Sequence, residues 1–187
     1  MPGHTPQEAV ENFLEPLRDA VAVLDGYTQL FVQPRGPYRK GVRFAWHLNE
    51  DRGARLGDVG VFYASMKFEI IDADPARHEA PLRVTTKEYN YCLEGPDGKD
   101  LWRFHWHPDS KVSHERGPHM HTPPTYREHW PTPRMTLEKA VLWCVRAGAP
   151  LSCTLEEAER TLALTEGQHV LWRGWSNHPE ERRLQST

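Results

Sequence analysis

Alternation of apolar and polar residues through the middle of the chain is the feature that most constrains its fold. Successive side chains of a strand point to opposite faces, so such runs predict strands with one buried face and one polar face. Alternating or otherwise strand-forming runs cover five segments: 27–33, 38–48, 58–71, 82–93 and 99–107. The last two are separated by the turn Gly95-Pro96-Asp97-Gly98, which is typical of an antiparallel hairpin.

Helical patterns flank these strands. Thr5-Pro6-Gln7-Glu8 combines a capping box with a proline at the first helical position, and apolar residues then recur at helical spacing as far as Leu24. Pro16 interrupts that pattern, which predicts a kink or a second short helix. After the strands, helices are predicted over 137–147, capped by Thr136, and over 155–166, opened by a second capping box.

This order of elements predicts an α+β fold. We expect an antiparallel sheet of about five strands, with the N-terminal helix and the two C-terminal helices packed on one face. A chain of 187 residues is typical of one domain, which we place at residues 1–175. Residues 176–187 are polar and charged, so we expect a flexible tail there.

Charge, cysteines and hydropathy exclude several classes of protein. The formal net charge of −3 argues against strong non-specific binding to nucleic acid. The chain has an odd number of cysteines, three, and no CxxC pair; they are Cys92, Cys144 and Cys153. This pattern argues against a disulfide framework and against a cysteine zinc site. The N-terminus has no signal-peptide pattern, and no apolar run approaches the roughly 20 residues that cross a bilayer. We therefore expect a cytoplasmic protein without membrane contacts.

Histidines are concentrated in one stretch of the chain, between Arg103 and His129. On the predicted strand, Trp102, Phe104 and Trp106 share one face, which we expect to belong to the core. His105, His107 and Arg103 share the other face. If the hairpin pairs odd with even positions, Glu88 lies near one of these histidines and could orient its ring or raise its pKa. A three-residue turn that ends in a left-handed Gly98 would reverse the faces.

Two chemistries suit this stretch. The two His-x-His motifs, His105 with His107 and His119 with His121, could bind zinc, manganese or iron. Alternatively, these four histidines could cleave RNA by acid–base catalysis without any cofactor, assisted by Glu88. In that case the phosphate would be bound by three basic side chains: Arg103, Lys111 and Arg116. A third possibility is a non-catalytic module that binds a protein partner through its aromatic sheet face and N-terminal helix.

Several short motifs between Leu82 and Gly148 resemble the TumE-type toxins of bacterial toxin–antitoxin systems. They are Tyr89-Asn90-Tyr91, Asp97-Gly98-Lys99, Trp102-Arg103-Phe104, Pro118-His119-Met120-His121 and Thr136-Leu137-Glu138. The resemblance implies growth inhibition by attack on RNA, and an antitoxin protein as partner. Arg103, His119 and His121 match the family's pattern, whereas His105 and His107 stand where that pattern has Asp or Asn. The leading hypothesis from sequence is therefore a toxin-like ribonuclease, with a metalloenzyme as the first alternative.

Overall fold

The computed structural model describes residues 2–109 and 115–173. It consists of one eight-stranded antiparallel sheet and three α-helices. The elements are α1 (Pro6–Ala22), β1 (Leu30–Gln33), β2 (Arg43–Leu48), β3 (Ala54–Arg55), β4 (Val61–Asp72), β5 (Leu82–Glu94), β6 (Asp100–Trp106), β7 (His119–His121), β8 (Trp130–Pro131), α2 (Leu137–Arg146) and α3 (Leu155–Gln168). The predicted fold class is confirmed, with eight strands in place of about five.

The strands follow the order β1-β2-β4-β5-β6-β7-β8, and β3 pairs with β4 outside this path. Three strands were not predicted: β3, β7 and β8. Each has only two or three residues, which is too short for alternation to be recognised. Two of them, β7 and β8, lie between the last predicted strand and the helix predicted over 137–147, where the sequence predicted no element. Among the helices of residues 2–109 and 115–173, none combines the length and apolar character needed to cross a membrane.

The N-terminal helix begins as predicted. The Thr5 hydroxyl accepts a hydrogen bond from the Glu8 amide at 3.1 Å, and the Glu8 carboxylate accepts one from the His4 amide at 2.9 Å. Of the two alternatives predicted at Pro16, a kink or a second short helix, the second is wrong, because α1 is a single helix of 17 residues with Pro16 buried inside it. Packing explains this outcome: one helical face is buried against the sheet, and that burial offsets the lost backbone bond.

The aromatic face of the hairpin belongs to the core, as the sequence indicated. Trp102, Phe104 and Trp106 are at most 5% exposed. On β5, the rings of Tyr89 and Tyr91 stack with centroids 5.0 Å apart. Burial of a large apolar side chain contributes about 1.5–3 kcal/mol, so this face is a major part of what holds the helices on the sheet. The opposite face of the hairpin is therefore the polar one.

The hairpin register, which the sequence left open, pairs Asn90 with His105 and Cys92 with Arg103. The turn closes with a bond from the Gly95 amide to the Lys99 carbonyl at 2.8 Å. Gly98 has a φ of +75°, a left-handed conformation that glycine adopts at little cost. The register shifts by one position next to the turn and is regular beyond it. The register thus confirms the two expected faces of β6, the aromatic one with Trp102, Phe104 and Trp106 and the polar one with Arg103, His105 and His107.

A strained turn after β2 fixes a side chain at the border of the polar face. Asn49, Glu50 and Asp51 have φ values of 52°, 56° and 67°. The Asn49 amide nitrogen donates to the Tyr27 carbonyl at 2.6 Å, and this bond and two others hold the turn in its left-handed conformation. Asp51 is then placed with one carboxylate oxygen 2.6 Å from Nδ1 of His47.

Candidate metal centre

A row of polar side chains crosses the sheet on the face opposite the core. Successive cross-strand partners in this row are His47, Ser65, Asn90, His105 and His119, on β2, β4, β5, β6 and β7. Neighbouring strands lie about 4.7–4.9 Å apart, so His47 is roughly three strand spacings from His105. The histidines at the far end of the row form a cluster of their own.

Antiparallel pairing of β6 with β7 brings the two His-x-His motifs face to face. His105 is the direct partner of His119, and Arg103 is the partner of His121. The ring centroid of His105 lies 4.2 Å from that of His119, 4.7 Å from that of His121 and 4.9 Å from that of His107. We call these four residues together with His129 the histidine cluster.

His129 joins the cluster from the residue before β8. Its ring centroid is 4.6 Å from that of His119 and 4.7 Å from that of His121. The sequence placed His129 in the histidine-rich stretch but did not assign it to the site. The one signal that could have assigned it was its closeness in sequence to the other histidines. The strand that follows it, β8, has only two residues and therefore no readable pattern.

The spacing of the rings matches the geometry of imidazoles around one ion. An imidazole that binds zinc at about 2.0–2.1 Å has its ring centroid about 3.1–3.2 Å from the ion. Two such rings at right or tetrahedral angles then have centroids roughly 4.5–5.2 Å apart. Seven ring pairs in the cluster have centroid separations of 4.2–5.3 Å. The cluster therefore fits a metal ion with small adjustments of the side chains.

Two backbone carbonyls fix the orientation of the rings on β7. Nδ1 of His119 lies 2.8 Å from the Gly117 carbonyl oxygen, and Nδ1 of His121 lies 2.7 Å from that of Tyr126. A carbonyl oxygen only accepts, so each Nδ1 carries the hydrogen and each Nε2 keeps its lone pair. Metal-binding histidines are typically held in this way by hydrogen bonds from their second nitrogen.

Three ring nitrogens of the cluster are buried without a hydrogen-bond partner in the described part of the chain. They are Nε2 of His105, Nδ1 of His107 and Nε2 of His119. A buried polar atom left unpaired costs about 1–3 kcal/mol. Ligand atoms of these same three residues lie within 4.8 Å of one another. A cation bound among the three rings would give these residues the partners that they lack in the described part of the chain.

Burial favours the neutral form of three histidines in the cluster. Desolvation, followed by the neighbouring imidazoles, lowers the pKa of His105 to about 2. Burial also lowers the pKa of His119 and that of His121. Neutral imidazole is the form that binds metals, whereas a general acid must be protonated before it can act. For these three histidines the lowered pKa therefore favours metal binding over proton donation.

Arg103 borders the cluster with its charge already paired. Its Nε and Nη2 donate to the two carboxylate oxygens of Asp100 at 2.7 and 3.1 Å, and its Nη1 donates to Oδ1 of Asn90 at 3.5 Å. Burial opposes ionisation of Asp100, but the hydrogen bonds from Arg103 and Cys92 outweigh it and hold the pKa of that carboxyl below its usual value. The Arg103 side chain is therefore rigid and presents Nη1 to the polar face.

A cavity of about 290 Å³ lies on this face beside the cluster. Arg103 and Asn90, the strand neighbours of His121 and His105, form one side of it. The cavity is lined by Asp51, Tyr63, Ala64, Ser65, Asn90, Cys92, Glu94 and Arg103. Most of this lining is polar, which favours a small hydrophilic molecule.

The remaining site residues proposed from sequence are Glu88, Arg116, Lys111 and Arg103. In place of the expected contact with a histidine, the Glu88 carboxylate accepts a hydrogen bond from Lys67 Nζ at 2.9 Å. The groups that orient the rings are backbone carbonyls, which a sequence pattern cannot show. Arg116 is exposed, and Lys111 lies outside the described residues. Arg103 is at the site, paired with Asp100 as described above.

Comparison of the chain with family models, curated proteins and solved structures finds no match. The geometry and electrostatics of the cluster are therefore the basis for the functional proposal.

Proposed function

We propose that this protein is a metalloenzyme, a hydrolase whose metal ion is held by His105, His107 and His119. The observation that carries the proposal is twofold: His105, His107 and His119 each have a buried ring nitrogen without a partner in the described part of the chain, and ligand atoms of these three residues lie within 4.8 Å of one another. Three protein ligands that leave a further coordination position open are typical of catalytic metal sites, whereas structural sites are closed by four.

The ligand type favours zinc or iron over manganese. Imidazole nitrogens suit zinc, copper, iron and nickel, whereas manganese prefers carboxylate and water oxygens. No carboxylate or thiolate belongs to the two metal-ligand sets found among the described residues. Neutral ligands leave the double charge of the ion uncompensated, and a zinc ion in such surroundings lowers the pKa of a coordinated water towards about 7.

Residues of the polar face would supply substrate binding. Arg103 is held by two bonds to Asp100, so its Nη1 is fixed beside the cluster and can stabilise negative charge that develops on a substrate. Asn90 adds an amide group next to His105. Pockets for drug-sized ligands measure about 300–1,000 Å³, so the adjoining cavity suits a substrate at the small end of that range.

The toxin-like ribonuclease stays a prediction, and two observations weigh against its metal-free form. A histidine with a pKa of about 2, such as His105, holds almost no proton to donate at neutral pH. Burial also lowers the pKa of His119 and that of His121, which the ribonuclease hypothesis likewise made acid–base groups. The interaction module is likewise less well supported, because the aromatic face that it would use is buried beneath the helices.

Elemental analysis of the purified protein tests the proposal. We expect about one zinc or iron ion per chain, and little in a variant with alanine at the four histidines named from sequence: His105, His107, His119 and His121. His4→Ala is the matched control, because His4 is an exposed histidine outside the cluster. Circular dichroism establishes that each variant is folded.

Hydrolysis of small esters, phosphoesters and RNA is then measured before and after chelation, and after zinc is added back. Activity that chelation abolishes and zinc restores supports the proposal. A metal-free wild type that cleaves RNA, and loses cleavage in the quadruple variant, would contradict it and support the acid–base ribonuclease.

A further inference from the structure

The histidine cluster contains two overlapping sets of three ligands. The first, the inner set, is His105, His107 and His119, and the second, the outer set, is His119, His121 and His129. In each set the ligand atoms lie within 4.8 Å of one another. His119 is common to both, so the two sets are two positions that one ion can occupy along a short path.

His119 cannot serve both positions at once. Its Nδ1 hydrogen is bonded to the Gly117 carbonyl at 2.8 Å, so the neutral ring has a single lone pair, on Nε2. One lone pair binds one ion. Only one of the two positions can therefore use His119 as a ligand at a time.

Exposure differs between the two sets. In the outer set His129 is exposed, His121 is 9% exposed and His119 is fully buried. In the inner set His105 and His107 are partly exposed as residues, but the unpaired ring nitrogen of each is buried. The inner set contains the three buried unpaired nitrogens, whereas the outer set includes a ring at the surface on the residue before the edge strand β8. His129 is therefore the ligand of the two sets that an ion in solvent can reach most directly.

We infer that His121 and His129 form an entry site, which captures a divalent transition-metal ion from solvent and transfers it through His119 to the inner set. This inference rests on the proposed metal centre and adds how that centre is loaded. An entry site speeds arrival and departure alike, because both directions of exchange pass through it. Its removal slows loading and release by the same factor and leaves the equilibrium affinity unchanged.

The test compares His129→Ala with His107→Ala in the full-length protein. Metal is first removed by chelation, and the uptake of Zn²⁺ is followed by stopped-flow competition with a chromophoric chelator. Release is followed by transfer of zinc to excess chelator, and Kd comes from equilibrium titration. His4→Ala is the control for loss of a histidine elsewhere, and circular dichroism establishes that the variants are folded.

For His129→Ala we expect uptake and release both slowed on the order of tenfold, comparable with the loss of a supporting group at a metal site, and an unchanged Kd. For His107→Ala we expect a higher Kd with faster release. A raised Kd in His129→Ala would make His129 a permanent ligand and overturn the inference, as would unchanged uptake. Neither of these two results would contradict the proposed metal centre itself. Failure of the wild type to bind zinc at all would overturn the proposed function and this inference together.

Discussion

Replacing His105 with leucine separates two effects of this histidine, its cost to the metal-free fold and its contribution to metal binding. In the metal-free protein, Nε2 of His105 is buried without a partner in the described part of the chain. A leucine of similar size removes that unpaired atom, which should stabilise the metal-free protein by about 1–3 kcal/mol. For a chain of this length, each kcal/mol shifts the melting temperature by about 2–4 °C.

Zinc should offset this gain in stability, because its binding stabilises the wild type more than the variant. At a free zinc concentration of about 1,000 times Kd, binding stabilises the wild type by about 4 kcal/mol, or roughly 8–16 °C. Loss of one of three ligands should weaken affinity at least as much as the ~100-fold seen for residues that only support a ligand. In the His105→Leu variant, this weaker affinity should reduce the stabilisation by the same concentration of zinc by about 2.7 kcal/mol.

Calorimetric melting of both proteins, with chelator and with zinc, measures these shifts. The variant should melt higher than the wild type in chelator and gain much less from zinc. His4→Leu is the control, since it replaces an exposed histidine in the same way. A variant that melts lower in chelator would refute the argument from the unpaired nitrogen, and an equal zinc-induced shift in both proteins would refute the assignment of His105 as a ligand.

Two further predictions concern pH and thiol reactivity. Burial lowers the pKa of His105 from 6.5 to about 2, so between these values the unfolded chain binds a proton that the folded metal-free chain does not. Stability contributed by the neutral ring is thus complete above pH 6.5 and is lost as the pH falls. The slope is at most about 1.4 kcal/mol per pH unit for this residue, less what solvent screening removes. Urea denaturation at pH 7, 6 and 5 should show a shallower decline for His105→Leu than for wild type, and identical slopes would contradict this. Among the cysteines, Cys92 and Cys144 are buried and burial raises the pKa of each thiol, whereas Cys153 is partly exposed. Iodoacetamide should therefore modify one thiol in the native protein and three in denaturant, as counted by intact mass, and rapid native modification of Cys92 would be inconsistent with the described packing.

Much of the fold could be predicted because its signals are local. Thr5, Thr136 and Thr154 cap the three helices where the sequence placed the helix starts. Long strands such as β5 show their alternation over many residues, so they were found within a few positions of their ends. The helix does not restart at Pro16, because tertiary packing of its buried face stabilises one continuous helix through the proline.

The sequence by itself determined the α+β class, the buried aromatic face of the hairpin and the stretch in which the histidines are concentrated. These follow from periodicity, capping and composition, which are properties of neighbouring residues. Only the tertiary structure decided that β7 pairs with β6, that β8 brings His129 to the same cluster, and that Arg103 is neutralised by Asp100. Strands of two or three residues have no period to read, so their pairing is set by contacts that the rest of the fold makes possible. The unpaired nitrogens that indicate a metal arise from burial, which no local pattern specifies.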